Sequence, residues 1–306
     1  MKTETQITYQ SVPSDPDTLS TLKTKQRLLH FHEIPSWQQE NEYLLSGYRP
    51  TADSTLDCFQ SSFRWHNETI NIISHIAGSV LFAALPFHFY YSVYLETPHA
   101  SLIDFVLFTG YFHGVSICFA CSASCHIVWN HSPSIASFGN QLDYLGIVLL
   151  MWTASLPSIY YGFICDPTLR YFHWALTTAL AAGCIITTMH PRFCTPHFRS
   201  YRAGMYTGLG LAAMFFVTHG IMLHGIEIQE RRMALKWMLA MASFNIFGAA
   251  AYAARVPERL YPYTFDFVGA SHQIFHFMVI FAGIAHYLGL IKALQEVREV
   301  RQDCNS

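Results

Sequence analysis

The chain has 306 residues, of which 52% are apolar, 15% aromatic and only 12% charged, with a formal net charge of −2. A soluble domain carries about twice that share of Asp, Glu, Lys and Arg, and a nucleic-acid binder needs a surplus of cations. Both classes are excluded. Residues 1–20 are rich in Thr, Ser, Asp and Pro and read as a disordered tail. Residues 21–66 mix Leu, Phe, Ile and Trp with Lys, Arg, Glu and Gln, as in cytoplasmic helices lying at a membrane interface; a solvated helix pair fits the same pattern. No short apolar run ending in small residues, as a secretory leader has, precedes the first long apolar stretch.

Seven charge-free stretches follow. They hold 27 residues between Glu68 and Glu96, 38 between Asp104 and Asp143, 22 from there to Asp166 and 21 between Arg170 and Arg192. The last three hold 24 between Arg202 and Glu227, 18 between Lys236 and Arg255, and 25 between Asp266 and Lys292. A helix needs about 20 residues to cross the hydrocarbon core. The pattern therefore predicts an all-α integral membrane protein, a seven-transmembrane-helix bundle over residues 67–292. The spans fall near 69–94, 105–128, 142–164, 171–190, 204–224, 236–254 and 268–291, with a C-terminal tail over 293–306. Pro157 removes a backbone donor and is expected to kink the third span. Cys118, Cys121 and Cys125 read as small packing residues of the second span, because Cys118-x-x-Cys121 lacks the strand-to-helix context of a redox pair.

Basic loops stay cytoplasmic. With the N-terminus inside, eleven Lys and Arg lie on the inner side and seven on the outer. This places the N-terminus in the cytoplasm and the C-terminus opposite, with Arg192, Arg199 and Arg202 on the cytoplasmic surface.

Among 17 histidines, His272 and His276 stand out. Their i, i+4 spacing stacks two imidazoles on one face of the seventh span, about 6 Å apart. His126 ends the second span and Asp143 opens the third. With seven alternating helices, these positions share one leaflet, at similar depth. Ionisable groups in a membrane helix usually face the bundle interior, and three histidines at one depth suit a zinc site with an open fourth position. Ser122, one turn before His126, is placed to orient a ligand, and Asp143 to accept a proton. His113 lies about 20 Å along the helix from His126, His75 has no partner on its own helix, and His219, His224 and His286 fall toward the other leaflet. Ligands at tetrahedral angles on a 2.1 Å radius lie about 3.4 Å apart. The three ring nitrogens should therefore meet within about 4 Å, and a separation above about 7 Å would refute the assignment.

Five segments carry a family resemblance. They are Asn41-Glu42-Tyr43-Leu44-Leu45-Ser46-Gly47-Tyr48-Arg49-Pro50; His66-Asn67-Glu68-Thr69-Ile70-Asn71 with Ser74-His75; and Ser122-x-x-x-His126 with Leu142-Asp143-Tyr144-Leu145-Gly146. The last two are Phe198-Arg199-x-x-Arg202 and Pro257-Glu258-Arg259, followed by Phe265-Asp266 and Ser271-His272-Gln273-Ile274-Phe275-His276. The chain resembles the progestin and adiponectin receptor family, also called the haemolysin III family, especially its fungal zinc-homeostasis branch. The resemblance implies zinc on His126, His272 and His276, with Ser122 and Asp143 beside it. Departures are Ile73 where an aromatic is common, Tyr263 where glycine is usual, and Ala270 where a polar residue often sits. Three functions follow as expectations. The first is an intramembrane zinc hydrolase acting on an amide-linked lipid, with ceramide the substrate class the resemblance implies. The second is a seven-helix receptor or zinc and lipid homeostasis factor with structural zinc, and the third a terpenoid or lipid cyclase using zinc as a Lewis acid. The organelle, endoplasmic reticulum or plasma membrane, stays open.

Overall fold

Proline and serine set several of the helix starts. A computed structural model describes residues 27–190 and 199–299, and among them the chain forms nine α-helices. These are α1 (Thr55–Ser61), α2 (Thr69–Phe89, continued by a π-turn to Tyr94), α3 (Leu102–Val128), α4 (Pro133–Gly162), α5 (Pro167–Met189), α6 (Arg199–His224), α7 (Ile226–Met233), α8 (Leu235–Ala254) and α9 (Ser271–Glu299). The third span thus begins at Pro133 rather than 142. Ser132 caps it by accepting from the Ile135 N–H, and proline is preorganised for the first turn. Pro167 starts α5 in the same way. The helix continues through Pro157, and the nearby carbonyls of Leu156 and Ala154 receive hydrogen bonds from Trp174 (3.0 Å) and His286 (3.1 Å).

Six helices are long and apolar enough to cross a bilayer; the seventh long one, α6, is apolar over its described stretch Gly208–His224. Large side chains such as Phe87, Met222 and Ile246 point outward, as lipid-facing positions do. Lipid is as apolar as leucine, so helix association rests on close packing and on polar contacts inside the bundle. Gly146 supplies the first: a Cβ there would lie 2.9 Å from the Cys118 Cα on α3. An aromatic core including Phe82, Phe89, Phe108, Phe112 and Phe119 fills the space between α2, α3 and α9.

The polar contacts supply the second. At the end where α3 starts, Asp104 is fully buried and accepts from the Arg298 guanidinium (Nε 3.0 Å, Nη2 2.9 Å) and the Tyr161 hydroxyl (2.9 Å). This pairing and the burial of Ala293, Leu294 and Val297 keep α9 helical to Glu299. The expected tail boundary at 293 is therefore corrected: residues 293–299 are helix.

At the other end, residues 27–66 form two short 3₁₀ turns (Phe31–Glu33 and Ser36–Gln38) and α1, in place of the expected interfacial helices. Tertiary contacts decide this. Asp266 accepts from the Leu45 N–H (3.1 Å) and the Ser46 hydroxyl (2.6 Å), and the Asn41 amide donates to Glu258 (3.0 Å). Gly47 turns at φ +86°, with the Phe267 ring against the face where a side chain would stand. The segment thus caps the bundle where α3 ends and α9 begins. Tyr263, in the loop before α9, holds a left-handed backbone (φ +63°), the conformation that glycine accepts without cost. The tail 1–20 and the side chains of Arg192, Arg199 and Arg202 lie outside the described residues.

Candidate metal centre

Two helix termini bring three histidines together under this cap. His126 lies in the last turn of α3, and His272 and His276 open α9. Their rings form a near-equilateral triangle, with centroids 5.0 Å (His126–His272), 5.0 Å (His126–His276) and 4.8 Å (His272–His276) apart and planes crossing at 61–87°. One ring nitrogen from each lies within 4.8 Å of the others. That exceeds the expected 4 Å, because rings meeting edge to face hold their nitrogens apart, and it stays well inside 7 Å. His126 and His276 are buried and His272 partly so.

The orientation of His126 is set from outside the triad. Glu68, the residue preceding α2, lies 2.7 Å from its Nδ1. The Nδ1–H donates to this carboxylate, and Nε2 remains buried with no hydrogen-bond partner among the described residues. A neutral imidazole held so by a carboxylate is what a metal-ligating histidine requires, so the residues fit a divalent cation. His276 is placed likewise, with Nδ1 3.2 Å from the Ser74 hydroxyl. Burial pushes the Glu68 carboxyl up, but the His126 imidazole and the Asn71 amide, which donates to it at 2.7 Å, hold it below the usual carboxylate range. Arg49 spans the end of α3, donating to the carbonyls of His126 (2.7 Å) and Cys58 (3.1 Å). Burial lowers it to about 10, which leaves it charged at the helix terminus that favours a cation.

Ser122 is buried one turn before His126 and hydrogen-bonds to Asp143 on α4. Asp143 is electrostatically coupled to His126 but does not join the converging set of ligand atoms. Glu40, on the capping segment, is pushed up to about 7 by burial and by Glu68, although water still reaches its side chain. Of the other histidines, His219 pairs with His173 (3.0 Å), His224 with Asp166 (3.0 Å) and His286 with the Ala154 carbonyl (3.1 Å), all away from the triad. His75 does reach it: its ring lies flat on His276, centroids 3.5 Å apart.

Sequence reasoning singled out neither Glu68 nor Arg49 for the site. The available signal was the row Glu68, Asn71 and His75 at the entry of an apolar span, because polar groups there are costly and normally face a partner.

The model of a family described as haemolysin-III related matches residues 63–287. An adiponectin receptor protein of Drosophila melanogaster is 34% identical over 266 residues, covering 86% of this chain and 59% of its own length. The chain thus spans about three fifths of that relative. An ADIPOR-like receptor, IZH2, of Saccharomyces cerevisiae is 32% identical over 277 residues (90% and 86%). Heptahelical transmembrane protein 1 of Arabidopsis thaliana is 34% identical over 275 residues (87% and 81%). Matched along most of its length by the family model and by these relatives, the chain is an integral membrane protein of the haemolysin-III-related, or progestin and adiponectin receptor, family.

Proposed function

We propose that the chain is a membrane-embedded zinc hydrolase acting on lipid amides, with zinc held by His126, His272 and His276. One observation carries this reading: three imidazole nitrogens meet within 4.8 Å while Glu68 turns the unpartnered Nε2 of His126 away from itself. Zinc on three imidazoles with an open fourth position lowers the pKa of a bound water to about 7 and polarises a carbonyl. The remaining work falls to the chain. Glu68 and Ser74 fix the ring orientations, and the capping segment shields the centre from bulk water. Asp143, steadied by Ser122, takes up the proton released at attack and returns it to the leaving amine. Its place outside the converging ligand set is what leaves a position for substrate.

The names of the fly and yeast relatives favour a second reading, a receptor in which the metal is structural. The two readings part at Asp143. A hydrolase with Asp143→Asn keeps its zinc and melting temperature but loses turnover of a short-chain ceramide. A receptor with structural zinc is indifferent to the change. His276→Ala loses zinc under either reading. Equal ceramide turnover by the purified protein with and without metal would refute the hydrolase.

A further inference from the structure

The chain holds eight cysteines. Cys58, Cys118, Cys121, Cys125 and Cys184 are free, whereas Cys165, in the turn between α4 and α5, is disulfide-bonded. Its partner in the chain is therefore Cys194 or Cys304, both of which lie outside the described residues. Covalent reach decides between them.

α5 has 23 residues and a length of about 34 Å, from Pro167, two positions after Cys165, to Met189. Cys194 follows Met189 by five positions and precedes Arg199, the first residue of α6, by five more. Five residues span at most about 18 Å, which confines Cys194 to the far end of α5, where α6 sets out. A disulfide needs its Cα atoms within about 7 Å of each other, so Cys194 is out of range.

The end of α9 is at the right place. Arg298 donates to the hydroxyl of Tyr160, five positions before Cys165, at 3.1 Å. Arg232 on α7 donates to the Cys165 sulfur at 3.3 Å, and Glu230 on the same helix pairs with Lys292 of α9 at 2.8 Å. α7, α9 and the α4–α5 turn thus meet at one end of the bundle. Cys304 follows Glu299, the last residue of α9, by five positions, which brings Cys165 within its reach.

We propose that Cys165 and Cys304 form a disulfide that ties the C-terminal tail to the α4–α5 turn. The two thiols give up two protons and two electrons as the S–S bond forms. A disulfide-carrying thiol oxidoreductase takes them up by exchange, its own S–S bond becoming two thiols. A thiolate is the attacking form, and a cation beside a cysteine favours it; the Arg232 guanidinium stands there. The closed loop runs from α5 through α9 and restrains the unfolded chain. Such a bond persists in an oxidising compartment and not in the cytosol. That agrees with the excess of Lys and Arg at the opposite end of the bundle. The bond is independent of the metal centre and of any reaction there.

The test uses the full chain in its own membranes, dissolved in denaturing detergent with N-ethylmaleimide so that every free thiol is capped at once. Intact-mass measurement of the wild type should show six adducts, and eight when a reductant precedes the maleimide. Cys165→Ser and Cys304→Ser should each carry seven with or without reductant, and Cys194→Ser five without and seven with it. A non-reduced digest should contain a peptide pair joining Cys165 to Cys304. Eight adducts on the unreduced wild type overturn the proposal. So does a digest that joins Cys165 to Cys194 or to a second copy of the chain.

Discussion

Replacing Glu68 tests the centre without touching a ligand. Its Oε2 lies 2.7 Å from His126 Nδ1 and accepts from Asn71 as well. Glu68→Ala strands the Nδ1–H in a buried site and releases the ring to rotate. Losing an outer partner of this kind typically weakens metal binding 10- to 100-fold, or about 1.4–2.7 kcal/mol. Glu68→Gln keeps an acceptor oxygen facing both donors and loses only the charge. The expected order of zinc affinity is wild type, then Gln about tenfold weaker, then Ala about a hundredfold weaker. Competition against a chromophoric chelator on detergent-purified protein measures all three, with melting curves run in parallel to separate affinity from stability. Wild-type affinity in Glu68→Ala, or Gln weaker than Ala, would refute the orienting role.

Three further outcomes follow from the same contacts. Asp104→Asn breaks the pair between a fully buried carboxylate and the partly exposed Arg298 and should cost about 3 kcal/mol in a reversible detergent melt; zinc affinity should not change, because the pair lies at the opposite end of the bundle. Tyr263→Gly, at an exposed left-handed position, should stabilise by about 1 kcal/mol, and a lower melting temperature would show that the tyrosine makes compensating contacts. Burial, then Arg49, lowers His66 to about 3, and its Nδ1 accepts from the Glu68 N–H at 3.0 Å. The unfolded chain takes up this proton near pH 6.5, so the stability conferred is complete above 6.5 and is lost as pH falls toward 3. His66→Gln should flatten the loss of melting temperature between pH 7.5 and 5, and an unchanged slope would exclude His66 as its source.

What the linear order of residues determined is the set of membrane crossings and the meeting of three histidines. Hydropathy is a one-dimensional property, so charge-free stretches mark the helices that a bilayer accepts. Alternation of the long helices between them then brings the end of α3 and the start of α9 to one end of the bundle, which is how His126 could be joined to a pair about 150 residues away. Helix ends escaped where distant contacts set them. Residues 293–299 stay helical because Arg298 reaches Asp104, 194 positions back. Residues 27–54 form no α-helix because Asp266 and Glu258, beyond position 250, satisfy their backbone and side chains better. The surroundings of the triad were decided only in three dimensions as well. Glu68 meets His126 across 58 positions and Ser74 meets His276 across 202. Hydropathy carries no trace of such pairings, because a hydrogen bond depends on where two side chains point once the helices have packed.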